Sequence, residues 1–202
     1  YLHDAESGES RSLTSQPIED GSVQRNVAFL PHKVEFHAFS RQIDSHMEVC
    51  VSPVDDVEVR RIQLINRSDR RRRLTLLSYG EVVLSAQSGD RRHPAFNKLF
   101  IESEFNPTLN ALLFRRRPRS SDEAPIFFGY SLVLPIGQSA DGNFESDRRQ
   151  FLGRGGSIAA PLILQQEAAP HLSNRSGATL DPIFSLAQSV EMEPGATLEY
   201  AL

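Results

Sequence analysis

The chain has 202 residues, 39% of them apolar, and a net charge of −4. That length and apolar content suit one large domain or two small ones and exclude a disordered chain, while the negative charge gives no general attraction to nucleic acid or anionic membranes. A single cysteine, Cys50, excludes an internal disulfide and a cysteine-built metal centre; in "HMEVCVSP" it reads as a small apolar strand residue rather than a nucleophile.

The first residues, "YLHDAESGES", are polar and acidic and lack the basic and apolar regions of a signal peptide. Period-two alternation follows, in Val34, Phe36 and Ala38 and then in Met47, Val49 and Val51. "VEVRRIQLIN" (57–66) and "RLTLLSYGEVVL" (73–84) carry apolar residues on both faces, which predicts strands covered on both sides or inner strands of stacked sheets. Between them "NRSDR" (66–70) signals a turn. The run Arg70 to Arg73 is placed at a hairpin, its side chains turning to water and to nearby acids, because no aromatics interleave it as a polyanion site would require.

"SAQSGDRRHPAFNKLF" (85–100) is the longest irregular stretch, and long structured loops on β-scaffolds often carry function. Its His93, Phe96 and Asn97 offer an imidazole, a ring and an amide for non-catalytic ligand contact. Glu102 and Glu104 follow at i and i+2 of a strand. Both face the same way, so they cannot flank a glycosidic bond as a catalytic pair must. "ALLFRRR" (111–117) and "IFFGYSLVL" (126–134) again read as strands covered on both faces or as inner strands of stacked sheets. Arg115 and Arg117 share one strand face and Arg116 takes the other; the pair either grips a sugar or carboxylate, or binds the nearby Asp122 and Glu123.

"DRRQFLGRGG" (147–156) is not a P-loop, because no Gly-Lys-Ser/Thr follows, and it lacks the spacing of a dinucleotide site; its glycines read as a tight turn. A short helical piece over 157–169 is interrupted by Pro161. Alternation resumes at Phe184, Leu186, Val190 and Met192 and again at Leu198, Tyr200 and Leu202. Turn signals recur about every ten residues and no helical stripe lasts three turns, so the prediction is an all-β antiparallel sandwich with well under a fifth helix. The six histidines fit no zinc spacing, so neither a metal nor a cofactor is predicted. The lack of an initiator Met, and a strand pattern running to the last residue, read as a domain cut from a longer polypeptide.

Three segments together carry a family resemblance: "VEVRRIQLINRSDRRRRLTLLSYGEVVL", "HPAFNKLFIESEFNPTLNALLFRRRPRSSDE" and "FESDRRQFLGRGGSIAAP". The chain resembles the non-catalytic β-sandwich domain of glycoside hydrolase family 94, formerly glycosyltransferase family 36. The members are cellobiose and chitobiose phosphorylases and the phosphorylase-like part of cyclic β-1,2-glucan synthases. "LLSYGEVVL" and "HPAFNKLF" bring it nearest to the synthase type. The opening is similar to that domain's Y-x-x-D-x-x-S-G-E-x-W-S stretch, with Arg11 where Trp is usual.

The resemblance implies that residues 1–202 form a single galactose mutarotase-like super-sandwich. In the family this domain precedes a helical linker and an (α/α)6 barrel, which holds the general acid and the phosphate site. The implied partners are a β-glucan or oligosaccharide and the barrel of the same polypeptide, with a homodimer left open. Nucleic acid and direct membrane contact are not implied. The expected location is cytoplasmic, with the parent anchored in the inner membrane through other segments. The sugar-contact patch expected on this domain joins His93, Phe96 and Asn97 to Arg115 and Arg117.

Overall fold

The computed structural model describes residues 1–165 and 169–202. In chain order its first strands are β1 (Leu2–Asp4), β2 (Ser10–Arg11), β3 (Gln24–Leu30), β4 (Lys33–Ser40), β5 (Ile43–Val51) and β6 (Glu58–Asn66). Then come β7 (Arg72–Leu77), β8 (Gly80–Glu81) and two short helices, α1 (Gln87–Arg92) and α2 (Pro94–Lys98). β9 (Ile101–Asn106), β10 (Ala111–Arg116), β11 (Ile126–Ser131) and β12 (Asn143–Asp147) lead to a third helix, α3 (Arg148–Leu152). The last strands are β13 (Gly177–Ala178), β14 (Pro182–Met192) and β15 (Thr197–Ala201).

All strand pairs are antiparallel, and the strands form three sheets. One sheet runs β15-β6-β5-β4-β3, a second β11-β10-β9-β13, and a third β12-β14-β7-β1-β2 with β8 also on β14. The all-β expectation is met: helix is confined to three segments of five or six residues and a 3-10 turn at Leu162–Leu164 among the described residues. That turn, behind Pro161, is what forms within the helical piece expected over 157–169; residues 166–168 lie outside the described residues. The β4–β5 hairpin closes with Arg41 and Gln42 at φ 50° and 61°, the paired positive values of a two-residue turn whose twist matches the strands.

The three sheets share one core. Ile62 and Leu64 of β6, Leu74 and Leu76 of β7, Leu112 and Phe114 of β10, Leu186 and Val190 of β14 and Tyr200 of β15 all meet there. Each such buried side chain contributes about 1.5–3 kcal/mol. β14 is covered on both faces: Ile183 and Ala187 turn the other way, onto Phe151 and Leu152 of α3 and onto Leu172. β7 also has two buried faces, with Leu77 on the α3 side, as its sequence predicts.

Three of the strands read as double-covered or inner are open on one face; β6 and β10 are inner strands of their sheets, and β10 exposes Leu113 and Arg115 on its outer face. β6 buries only Ile62, Leu64 and Asn66, because its other face lies outside the sandwich. β11 is an edge strand of its sheet and none of its residues is fully buried. The arginine run is a hairpin as expected, with Arg70 3.2 Å from Glu6 and Arg71 paired with Glu191. The exception is Arg72, which is 2% exposed and pairs with Asp4 of β1.

In "DRRQFLGRGG" the Asp147 carboxylate accepts from the Arg149 amide at 2.9 Å and starts α3. Gly153 ends the helix at φ 84°, ψ 169°, a backbone region open essentially to glycine alone. Gly153 and Gly155 take the positive φ that the turn reading expects, whereas the helical turn α3 ahead of them is not expected from the sequence. Gly155 has φ 71° with open space around it, whereas a Cβ on Gly156 would lie 1.9 Å from the Leu152 carbonyl oxygen. Gly156→Ala is therefore expected to cost about 2–3 kcal/mol, because backbone must move. Gly155→Ala should cost about 1–2 kcal/mol, for the left-handed conformation only. Urea-denaturation midpoints of the two variants check the order.

Candidate functional site

The sequence-predicted residues fall in two places. His93 sits between α1 and α2, exposed, and its carbonyl accepts from the Asn97 amide at 3.1 Å. Asn97 itself is only 7% exposed, so it supports α2 and offers nothing to a ligand in this conformation. Phe96 is half exposed and meets Phe100 edge-on at 5.3 Å. The Arg119 guanidinium lies 5.1 Å from the Phe96 ring centre and 5.5 Å from that of Phe100. This cation–π stack already occupies one ring face. Lys98 is fixed by Asp181 at 2.5 Å.

Arg115 and Arg117 are on the outer face of the β11-β10-β9 sheet, where alternation along β10 sends Leu112, Phe114 and Arg116 inward. Arg116 is buried and paired with Glu123. Glu123 is held below the usual carboxylate range by the Arg119 amide first and by Arg116 second. Arg117 donates its amide to the Phe100 carbonyl at 2.8 Å and lies 3.1 Å from Glu102 through Nε. The backbone bond ties the start of β9 to the end of β10 and so brings the two predicted halves side by side.

Strand register adds a residue that sequence reasoning missed. Arg115 stands opposite Glu102 on one side and Phe127 on the other. In the next outward row Leu113 lies between Glu104 and Gly129. Phe127 is 67% exposed. The result is a shallow platform: an open aromatic ring, a guanidinium, two carboxylates and a glycine that leaves room above the sheet. "IFFGYS" places Phe127 on one strand face and Phe128 and Tyr130 on the other, but only the register tells that Phe127 neighbours Arg115.

Beyond the free edge of β11 the platform drops into a groove of about 700 Å³. Phe128, Tyr130 and Phe184 line its wall, with Arg60, Glu58 and Glu81 among its polar groups. The Tyr130 and Phe184 rings stand 4.2 Å apart. Burial pushes the Tyr130 hydroxyl up to about 12, so it remains a neutral hydrogen-bonding group at ordinary pH. Glu81 is pushed up by burial, but Arg148 and Tyr79 outweigh this and hold it below the usual range. An apolar wall with a few polar groups suits a ligand that presents both ring faces and hydroxyls.

The family profile described as "Glycosyl hydrolase 94, supersandwich domain" matches residues 1–202. The chain belongs to this family. It is also 30% identical over 195 residues to cyclic beta-(1,2)-glucan synthase NdvB of Rhizobium meliloti (strain 1021). That match covers 96% of this chain and 7% of the relative, so the supersandwich domain spans a small part of the length of the protein it matches. Among the described residues no helix of the supersandwich domain is long and apolar enough to cross a membrane.

Proposed function

We propose that this supersandwich domain is an accessory module of a larger β-glucan-processing enzyme. It contacts the glucan chain and packs against the catalytic barrel of the same polypeptide, where the glycosyl-transfer or phosphorolytic chemistry takes place. The observation that carries the reading is the exposed platform of Phe127, Arg115, Glu102 and Glu104 beside an aromatic-walled groove. An aromatic ring stacks on a sugar face, and guanidinium and carboxylate groups bond its hydroxyls. Phe96 and His93 extend the surface at the far end of Arg117. The domain supplies contact and not chemistry, since Glu102 is tied to Arg117 and stands on the same face as Glu104.

A second reading, a purely structural sandwich, is favoured by the Arg119 stack on Phe96 and by the Arg117–Glu102 pair, which already satisfy part of the surface. Titration of the chain with β-1,2-gluco-oligosaccharides, followed by NMR shifts, separates the two. The expected result is binding at about millimolar Kd, weakened about tenfold by Phe127→Ala or Arg115→Ala. Titration curves unchanged by both substitutions, or no shifts at all, would favour the structural reading.

A further inference from the structure

The sequence spacing of the histidines gives no metal signature, yet strand pairing assembles one. Glu35 and His37 are i and i+2 on β4 and point to the same side, away from the shared core. His46 on β5 stands directly opposite His37 in register. The two imidazoles stack with ring centres 4.0 Å apart and 12° between planes. One ligating atom from each of Glu35, His37 and His46 lies within 4.8 Å of the other two. Ligands on a tetrahedral ion with bonds of about 2.1 Å stand about 3.4 Å apart, so metal binding requires the two imidazoles to turn out of their stack until both ring planes pass through the ion.

A second observation points the same way. The Nε2 atom of His46 is buried from solvent and has no hydrogen-bond partner. A polar nitrogen removed from water and left unpaired costs free energy, and a metal ion would use its lone pair. Its carboxylate neighbours are already ordered: Lys33 lies 2.6 Å from Glu35 and 2.5 Å from Glu48. The ammonium occupies one Glu35 oxygen and leaves the other free. It fixes the carboxylate's orientation, and its charge tempers the affinity.

We propose that Glu35, His37 and His46 form a divalent transition-metal site that clips β4 to β5. Two imidazoles and one carboxylate suit Zn²⁺, Ni²⁺ and above all Cu²⁺, whereas Mg²⁺ and Ca²⁺ require a shell of oxygens. Three protein ligands leave an outward coordination position for water. This site lies on a different sheet from the platform and does not depend on sugar binding.

The test uses the 202-residue chain after chelator treatment. Calorimetric titration with Zn²⁺ should give saturable binding at one ion per chain. His37→Ala and His46→Ala should each weaken it about tenfold or more, as should Glu35→Ala, and His32→Ala and His171→Ala should leave it unchanged. Excess Mg²⁺ should not compete. Electron paramagnetic resonance of the Cu²⁺-loaded wild-type chain should report two coordinating nitrogens, which decides the matter even where an alanine variant does not fold. Absence of saturable binding below about millimolar Zn²⁺, affinity unchanged in the His37→Ala/His46→Ala double variant, or a copper spectrum with fewer than two nitrogens would overturn the site.

Discussion

Arg72→Ala should remove about 3–5 kcal/mol of folding stability, because it leaves a buried carboxylate without its cation. Arg72 is 2% exposed in β7, and its guanidinium donates to Asp4 of β1 and, at 2.8 Å, to the Arg41 carbonyl. Asp4 is 9% exposed and also accepts the Glu6 amide at 3.0 Å. The double variant Arg72→Met/Asp4→Leu should recover part of the loss, since both charges leave the interior together. Recovery is incomplete because the Glu6 amide loses its acceptor. Urea-denaturation midpoints at neutral pH measure all three. A single-variant loss below about 1 kcal/mol would mean that the freed carboxylate finds water.

The pair also sets a pH signature. Burial pushes the Asp4 carboxyl up, but the Glu6 amide and the Arg72 guanidinium outweigh it, and its pKa lies below the ordinary 3.8. A depressed carboxylate stabilises the fold fully above its unfolded pKa, and this contribution is lost as pH falls through the native value. In Arg72→Ala the Glu6 amide remains but the guanidinium is gone, so the Asp4 carboxyl titrates above its wild-type value. The deficit of the variant against wild type should therefore narrow below about pH 4.

Glu145→Ala is the second substitution expected to be severe. β12 shifts register between Glu145 and Asp147, and such a bulge leaves amides out of the ladder. The Glu145 carboxylate, 1% exposed, collects them: one oxygen accepts the Ser146 and Asp147 amides, each at 3.0 Å. The other accepts the Ser173 amide at 3.2 Å and its hydroxyl at 2.5 Å, which pins the loop before β13 to the sheet. Alanine strands three backbone donors and a hydroxyl at about 1–3 kcal/mol each, partly relieved by water, for an expected loss of about 3–5 kcal/mol. Glu145→Gln keeps one acceptor and should lose about half of that. Amide hydrogen exchange reads the mechanism directly: Ser146, Asp147 and Ser173 should lose protection more than the core of β14 does. Uniform loss across the sheet would mean a general packing defect instead.

Strand existence was legible because period-two patterning is a local property: 57–66 predicts what becomes Glu58–Asn66. Coverage was less so. "IFFGYSLVL" is apolar on both faces, yet β11 lies at an edge, and only the pairing order of distant strands decides that. The two turns of helix at 87–98 were invisible because five or six residues cannot display a helical stripe; Pro94 at the start of α2 was the one local hint. The candidate site divides in the same way. The alternation of Arg115 and Arg117 was readable, whereas Phe127 joins them through cross-strand register. Asn97 has a polar side chain that reads as a ligand contact but is the buried residue of α2. Glu35, His37 and His46 escape any linear spacing rule because a hairpin turn brings them together.

The position of β14 has a consequence for how the domain is made. It forms near the end of the chain, yet it stands between β12 and β7 and covers both cores. A ribosome adds about 5–20 residues per second, so β7 emerges several seconds before β14, the second of its two partner strands. During that interval β7 has β1 but not β14 beside it, so one edge of the strand is unpaired and Leu77 lacks its neighbours Ile183 and Ala187. Assembly is therefore gated by the arrival of one late segment, and the four-stranded meander β3-β4-β5-β6, built from neighbours in sequence, is the part free to form first. Chaperone demand should peak just before Pro182 leaves the exit tunnel.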